Sequence, residues 1–375
     1  MTITRRCCAL LALLSISLCI VPCPEVAAAP GDSTKVPAGI IISLTGELSS
    51  FGVALRQGIE MAEGEGAVSD LAFSYEDDGS GNRAMTVGAL QSLIKRKQIR
   101  FVVVSGITNL VPIDQIIRQD GILALSALDS NATIETLSPT SFGFGWSNEL
   151  TGEEMGRFAR KDLKLRTAAV VVGHDEWSEI MGAGFTKAFK ADGGEIISEQ
   201  SVDLTDTDFR ALATKIARAR PDAVYFPLYG PALLPFVKQM KQSGYTGAML
   251  SAEGITAVEI EQLGQLAEGM YSTSAYLSDP SFEERYLKKF KFSRVEVNLA
   301  YVALGYDIAR FLQSCVQHLR EGDLEPTTAN LLMAARSVEL NGILGPVSFR
   351  TGKGSARRQF VMAVKSGVLT LRGTP

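Results

Sequence analysis

The stretch FVVVSGITNLVPIDQIIRQDGILALS, residues 101–126, sets two short apolar runs, Phe101 to Ser105 and Ile122 to Ser126, on either side of a longer mixed segment. Unbroken apolar runs of this length fit strands buried on both faces, and such strands belong to parallel sheets crossed over by helices. The rhythm extends in both directions. Gly39 to Leu44 and Leu71 to Glu76 precede the stretch, and Ala168 to Val172, Ile196 to Val202, Ala223 to Pro227 and Ala248 to Ser251 follow it. Amphipathic segments separate them: Phe51 to Glu63 repeats Leu55, Ile59 and Ala62 at helical spacing, and Ala84 to Lys97 repeats Val87, Leu90 and Ile94. Asp208 to Arg220 and Pro231 to Ser243 continue the pattern, the latter with proline in its first turn.

The alternation breaks twice. At Ser141 to Ser147 the aromatics Phe142, Phe144 and Trp146 alternate with small residues, and Met270 to Leu277 is similar. Neither is rich in Pro, Ser or charge, so both are read as crossings between lobes rather than flexible linkers. Helices are expected next at Ser281 to Phe290, Leu299 to Leu319 and Thr328 to Ala335, followed by a hairpin of Val347 to Arg350 with Phe360 to Lys365. A helical segment after a run of βα units implies that the chain returns to its first lobe. The fold class is therefore α/β, with two Rossmann-like lobes: residues 30–146 with 278–340, and residues 147–277 with 341–375.

The chain has 375 residues, 46% of them hydrophobic and 21% charged, a balance that excludes a disordered protein. Four of its five cysteines, Cys7, Cys8, Cys19 and Cys23, fall within the first 23 positions. Arg5-Arg6, the apolar run Ala9 to Val21 and Ala27-Ala28-Ala29 have the form of a secretory signal peptide spanning residues 1–29. The apolar run is well short of the roughly 20 residues a spanning helix needs. Neither Cys19 nor Cys23 follows the Gly, Ala or Ser of a lipidation site. Cleavage would leave 346 residues with 35 basic and 40 acidic groups, a net charge of −5, and Cys315 as the remaining cysteine. Such a chain carries no electrostatic footprint for nucleic acid or an anionic membrane, and Cys315, inside a helical run, is read as a small buried hydrophobe.

Catalytic signatures are missing. The two histidines, His174 and His318, stand in no H-E-x-x-H, and no G-x-S-x-G elbow occurs. Gly352-Lys353-Gly354-Ser355 lacks the upstream glycine of a phosphate loop, and Gly182-Ala183-Gly184 is followed by Lys187 where a third glycine would stand. Glu76-Asp77-Asp78-Gly79 reads as a strand running into a polar turn rather than a metal site. The expectation is a binding protein, with no enzyme activity, cofactor or metal.

Several segments, in order, resemble one family. They are Leu44-Thr45-Gly46-Glu47-Leu48-Ser49-Ser50-Phe51-Gly52, Tyr75 to Gly79, Gly121 to Ser126, Pro221-Asp222-Ala223-Val224-Tyr225, Ala252-Glu253-Gly254, Ala267-Glu268-Gly269 and Gly342 to Phe349. Together they make residues 37–367 similar to the type I periplasmic solute-binding proteins of ABC importers, in the branch for leucine, isoleucine and valine. The resemblance implies two lobes joined by three crossings, a ligand in the cleft, hinge closure, and delivery to permease subunits in the inner membrane by a monomeric periplasmic protein. A ligand-sensing module of the same fold is the alternative, and a small-amide hydrolase a more distant one.

The resemblance also implies a site. Glu253 would hold a ligand ammonium, because a desolvated cation needs a charge partner. Ser105, Gly106, Thr108 and Asn109 on one loop, and Ser126 to Ser130 on another, would hold the carboxylate, with Ser130 where relatives carry a binding Thr or Ser. Phe51, Trp177 and Tyr229, with Trp146 at a crossing, would wall the side chain. Two departures stand out: the loop at 105–109 lacks the usual Gly-Pro and serine run, and Leu128-Asp129 replaces small residues. An Asp129 facing the cleft would repel a carboxylate and favour an amide, a urea or a more cationic ligand.

Overall fold

The computed structural model describes residues 35–291, 297–355, 357 and 359–371; the expected signal peptide lies outside them. The first lobe begins β1 (Val36–Ile42), α1 (Ser49–Gly64), β2 (Leu71–Asp77), α2 (Arg83–Lys97), β3 (Phe101–Val104), α3 (Ile107–Leu110), α4 (Asp114–Asp120) and β4 (Leu123–Ser126). The two-residue strand β5 (Asp129–Ser130) and then β6 (Ser141–Gly143) follow. The sheet is parallel, in the order β2-β1-β3-β4-β6. Every residue of β3 and β4 is buried, which accounts for their unbroken apolar runs. Local chemistry sets the helix ends: the Asn82 side chain accepts from the N–H groups of Ala84 and Met85 at the start of α2, and Gly121, at φ 64°, ends α4.

The second lobe opens with β7 (Trp146–Ser147), α5 (Asn148–Arg157), β8 (Thr167–Gly173), α6 (Glu176–Ala191), β9 (Glu195–Val202), α7 (Arg210–Ala219) and β10 (Ala223–Tyr225). It continues through α8 (Leu233–Gln242), β11 (Ala248–Leu250), α9 (Ala257–Leu263) and β12 (Tyr271–Ser274). Then α10 (Pro280–Phe290), α11 (Leu299–Glu321) and α12 (Thr328–Ser337) rejoin the first lobe, where Phe282, Tyr286, Phe311 and Leu331 sit in the same core as β1 and β3. After the hairpin β13 (Glu339–Gly342) and β14 (Gly345–Ser348), β15 (Phe360–Lys365) and β16 (Val368–Leu371) complete the second sheet. Its order is β9-β8-β10-β11-β12-β15-β16, parallel up to β12 and antiparallel beyond.

Two expectations change here. Val347 pairs with Leu340 inside β13-β14, while β15 pairs with β12 and β16, so the hairpin expected between 347–350 and 360–365 does not form. Residues 341–349 also remain with the first lobe rather than the second. Leu340, Val347 and Phe349 are buried in its core, and the Phe349 ring packs on Phe142 and Phe311. The return to the second lobe comes later, where residues 353–355 and 357 run beside residues 143–147. Gly143 N–H donates to Lys353 O, Ser355 N–H to Gly143 O, and Ser147 N–H to Arg357 O.

Each sheet has one place where the order reverses: β1 and β3 are neighbours with β2 outside, and β8 and β10 are neighbours with β9 outside. Loops leaving the carboxyl ends of strands diverge at such a point and open a crevice. Both crevices contribute to the site.

Candidate functional site

A cavity of about 170 Å³ is lined from the first lobe by Leu48 and Phe51 after β1, Gly81 after β2, Ser105, Gly106, Thr108 and Asn109 after β3, and Leu128 and Asp129 after β4. Trp177 after β8, Tyr229 after β10, and Glu253 with Gly254 after β11 face them from the second lobe. Trp146 at the first crossing and Tyr301 in the first turn of α11 complete the wall. Nine of the eleven residues singled out in the sequence line this one space: Phe51, Ser105, Gly106, Thr108, Asn109, Asp129, Trp177, Tyr229 and Glu253.

Ser126 and Ser130 do not. Ser126 is fully buried and donates its hydroxyl to Asp129 Oδ1 at 2.6 Å. Ser130 follows Asp129 in β5, where successive side chains point to opposite faces, and its hydroxyl lies against Gly143 and Gly354. Tyr301 went unmarked in the sequence because it opens a helix whose pattern reads as core; its ring meets Phe51 at 4.9 Å and Trp146 at 5.6 Å.

Glu253 is the electrostatic centre of the second-lobe wall. The chain has two tryptophans, and both indoles donate to the same oxygen: Trp146 Nε1 to Oε1 at 2.9 Å and Trp177 Nε1 to Oε1 at 3.2 Å. Thr273 Oγ1 donates to Oε2 at 3.3 Å. These neutral donors orient the carboxylate without neutralising it, and among the described residues no Lys, Arg or His pairs with it. Burial therefore pushes its carboxyl above the usual range, against the opposing pull of the donors. Gln359, 3% exposed, approaches Glu253 closely enough to favour the ionised form, yet neither of its amide atoms makes a well-formed hydrogen bond.

Asp129 settles the question raised by the sequence, since its side chain faces the cavity. Its Oδ1 accepts the Ile107 N–H at 2.9 Å as well as the Ser126 hydroxyl, and Oδ2 has Asn148 Nδ2 at 3.5 Å. Burial raises this carboxyl too, and nearby Glu176 adds to the rise. Ser105 is likewise committed: its hydroxyl donates to Asp78 Oδ2 at 2.6 Å and accepts the Ser43 N–H at 3.2 Å. Asp78, fully buried, also takes the Ser43 hydroxyl and the Gly81 N–H, so the acidic turn after β2 ties the loops after β1 and β3 together. That is the polar-turn role expected of it. Asn109 Nδ2 donates to Thr86 Oγ1 at 2.8 Å.

Aromatic side chains line much of the cavity that the two acids share. Trp177 and Tyr229 pack edge to face with centroids 5.3 Å apart. A second cavity of about 210 Å³ shares Trp146, Glu253 and Tyr301 as a common wall. Among the described residues no cluster of three or more His, Cys, Asp or Glu has the placement to hold a metal ion, and no helix is long and apolar enough to cross a membrane.

The architecture has close counterparts. A leucine-binding protein, LivK, from Thermotoga maritima superposes with a TM-score of 0.80 at 22% identity, covering 90% of this chain and 98% of that one. A solute-binding protein of an ABC transporter from R. palustris, in complex with 4-hydroxybenzoate, gives the same TM-score at 19% identity, over 91% and 96%. In sequence, a Leu/Ile/Val-binding protein homolog of Brucella melitensis is 28% identical over 254 residues, 64% of this chain and 67% of its own length. A leucine-, isoleucine-, valine-, threonine- and alanine-binding protein of Pseudomonas aeruginosa is 24% identical over 300 residues, 75% and 78%. The model of the periplasmic binding protein family matches residues 35–367, essentially the whole of both lobes, and the chain belongs to that family.

Proposed function

We propose that this protein is the periplasmic solute receptor of an ABC importer, exported by its amino-terminal segment and presenting its ligand to permease subunits. The ligand is a small compound of amino-acid type, a hydrophobic amino acid or a related amide, held between the two lobes as they close. The observation that carries this reading is Glu253: a carboxylate buried to 8% exposure, held by two indoles at the wall of the cavity between the lobes and lacking a cationic partner among the described residues. Such a group is costly in the empty protein and becomes favourable when a ligand ammonium meets it. Phe51, Trp177, Tyr229 and Tyr301 supply the apolar walls a hydrophobic ligand body requires.

Closure follows from the same arrangement. The polar ends of the site stand on different lobes, so a ligand that touches both favours the closed form by the free energy of the contacts it makes only there. Calorimetry of the purified protein against amino acids and their amides tests the proposal. The tightest ligand should lose most of its affinity in Glu253→Ala, and equal affinity in that variant would remove Glu253 from the site.

A further inference from the structure

A carboxylate ligand needs donors at the first-lobe end of the cavity, and most of the side-chain donors there are already used. The Ile107 N–H and the Ser126 hydroxyl both go to Asp129, the Ser105 hydroxyl goes to Asp78, and the Asn109 amide goes to Thr86. Asp129 itself thus sits on the groups that would otherwise receive a ligand's acid group. Among the described residues the Thr108 hydroxyl and the Gly106 and Thr108 N–H groups have no hydrogen-bond partner, but Asp129 stands against this loop, with Oδ1 3.4 Å from where a Gly106 Cβ would lie, and would repel a carboxylate brought to them. Beside these the first lobe offers two acceptors: the second oxygen of Asp129, whose nearest donor is 3.5 Å away, and the remaining lone pair of Ser105.

The other end of the cavity is also an acceptor. Glu253 faces it, and two more acids of the second lobe, Glu176 and Asp175, act on Asp129 and Tyr229 respectively. Closing the lobes therefore encloses two carboxylates in one space of about 170 Å³ with no basic side chain among its lining residues. Like charges confined this way repel, and a cation placed between them reverses the sign of that energy. Two indoles, a phenylalanine and two tyrosines form the remaining wall, and aromatic faces attract cations as well as apolar groups.

From this we propose that the ligand is a carboxylate-free organic cation, an amine or amino amide, whose ammonium pairs with Glu253 and which donates a second N–H to Asp129. The volume suits a compound of about six to nine heavy atoms, since cavities near this size hold a benzene ring. The inference rests on the solute-receptor reading and narrows it, replacing an amino acid by its amide or by an amine.

Titration calorimetry of the full mature chain with leucine, leucinamide, 3-methylbutylamine and putrescine decides the matter, because the first three share one side chain and differ at the acid end. Leucinamide or one of the amines should bind at least about tenfold more tightly than leucine, the scale of one charge-assisted hydrogen bond. Asp129→Asn should erase most of that preference by weakening the cations, with its thermal unfolding checked alongside to show an intact fold. Leucine binding to the wild type as tightly as leucinamide, or a preference that survives Asp129→Asn unchanged, would overturn the inference and leave the receptor reading standing. Absence of binding by all four compounds to cooperatively folded protein would overturn both.

Discussion

Glu253 is held ionisable in a place that disfavours its charge, and that tension yields two predictions of opposite sign. Replacing it by Gln preserves an oxygen for the two indoles and removes the buried charge. The empty variant should therefore melt at a higher temperature than the wild type at pH 7, while ligand affinity falls by about 3 kcal/mol, or ~100-fold. The pH dependence has a definite direction as well. An ammonium ligand stays protonated across the acid range, whereas Glu253 and Asp129 must both be ionised to receive it, and burial holds both carboxyls above their usual values. Affinity should be full at neutral pH and weaken as the pH falls through that raised range, with protons taken up by the empty protein first. Calorimetry from pH 7.5 downward would show it, and an affinity flat to below pH 4 would exclude these groups from the cation contact. Because both tryptophans of the chain bond to Glu253 Oε1, intrinsic fluorescence should report binding directly. At this scale the sequence marked loops well and atoms poorly. Asp129 and Ser130 are adjacent and equally polar, and only the facing of β5 sends one to the cavity and the other toward Gly143. The commitment of Ser105 to Asp78 spans 27 residues of chain and leaves no local trace.

Helices and strands carry the site through their packing, and two glycines fix how the first lobe is assembled. Gly58 in α1 lies where a Cβ would overlap the carbonyl oxygen of Val302, and Gly305 in α11 where it would overlap that of Leu55. The two helices therefore meet backbone to backbone, which seats the first turns of both, with Phe51 and Tyr301, at the cavity wall. Gly305→Ala should cost about 3 kcal/mol in chemical denaturation, because neither backbone can yield locally, and should weaken ligand binding by displacing Tyr301. Unchanged stability would mean that the helices slide apart without loss. The periodicity of α1 is plain in the sequence, since Leu55, Ile59 and Ala62 recur on one face, but periodicity names a face and not the helix that covers it. The same limit explains the hairpin at the end of the chain. Residues 347–350 alternate and residues 360–364 form an unbroken apolar run, both patterns that strands show, yet Val347 pairs backward with Leu340 and β15 joins β12. Strand identity is written in local pattern, and strand partnership is set by which core buries the apolar face; here Phe349 belongs with Phe142 and Phe311.

For the whole molecule the question is what lets two lobes move and yet return to one geometry. Across the cleft, Glu176 at the start of α6 accepts from Thr133 Oγ1 at 3.1 Å and Asn131 Nδ2 at 3.4 Å, contacts that exist only while the lobes are together. Glu176→Ala should leave stability nearly unchanged and speed ligand release about fivefold, as expected for a loss near 1 kcal/mol, read by stopped-flow tryptophan fluorescence. The hinge itself is anchored differently. Arg357, on the last crossing, pairs with Asp307 of α11 at 3.0 Å with both groups out of solvent, lies over the Phe144 ring of the first crossing at 4.9 Å, and accepts the Ser147 N–H at its carbonyl. Asp307 also takes the N–H groups of Ile343 and Leu344, so a single carboxylate joins α11, the turn of the hairpin and the crossing. Burial pushes the Asp307 carboxyl up and the Arg357 guanidinium down, each opposed by the attraction of its partner. The pair is thus expensive to break and less expensive to replace. Asp307→Ala should destabilise the protein by about 3 to 5 kcal/mol, because it strands a buried guanidinium, whereas Asp307→Leu combined with Arg357→Met should recover a large part of that loss. If the double variant is no more stable than the single one, the bonds to Ile343 and Leu344, rather than the ion pair, hold the crossing in place. If the single variant unfolds like the wild type, the anchor of the hinge is the set of backbone bonds from Gly143 and Ser147 to Lys353, Ser355 and Arg357.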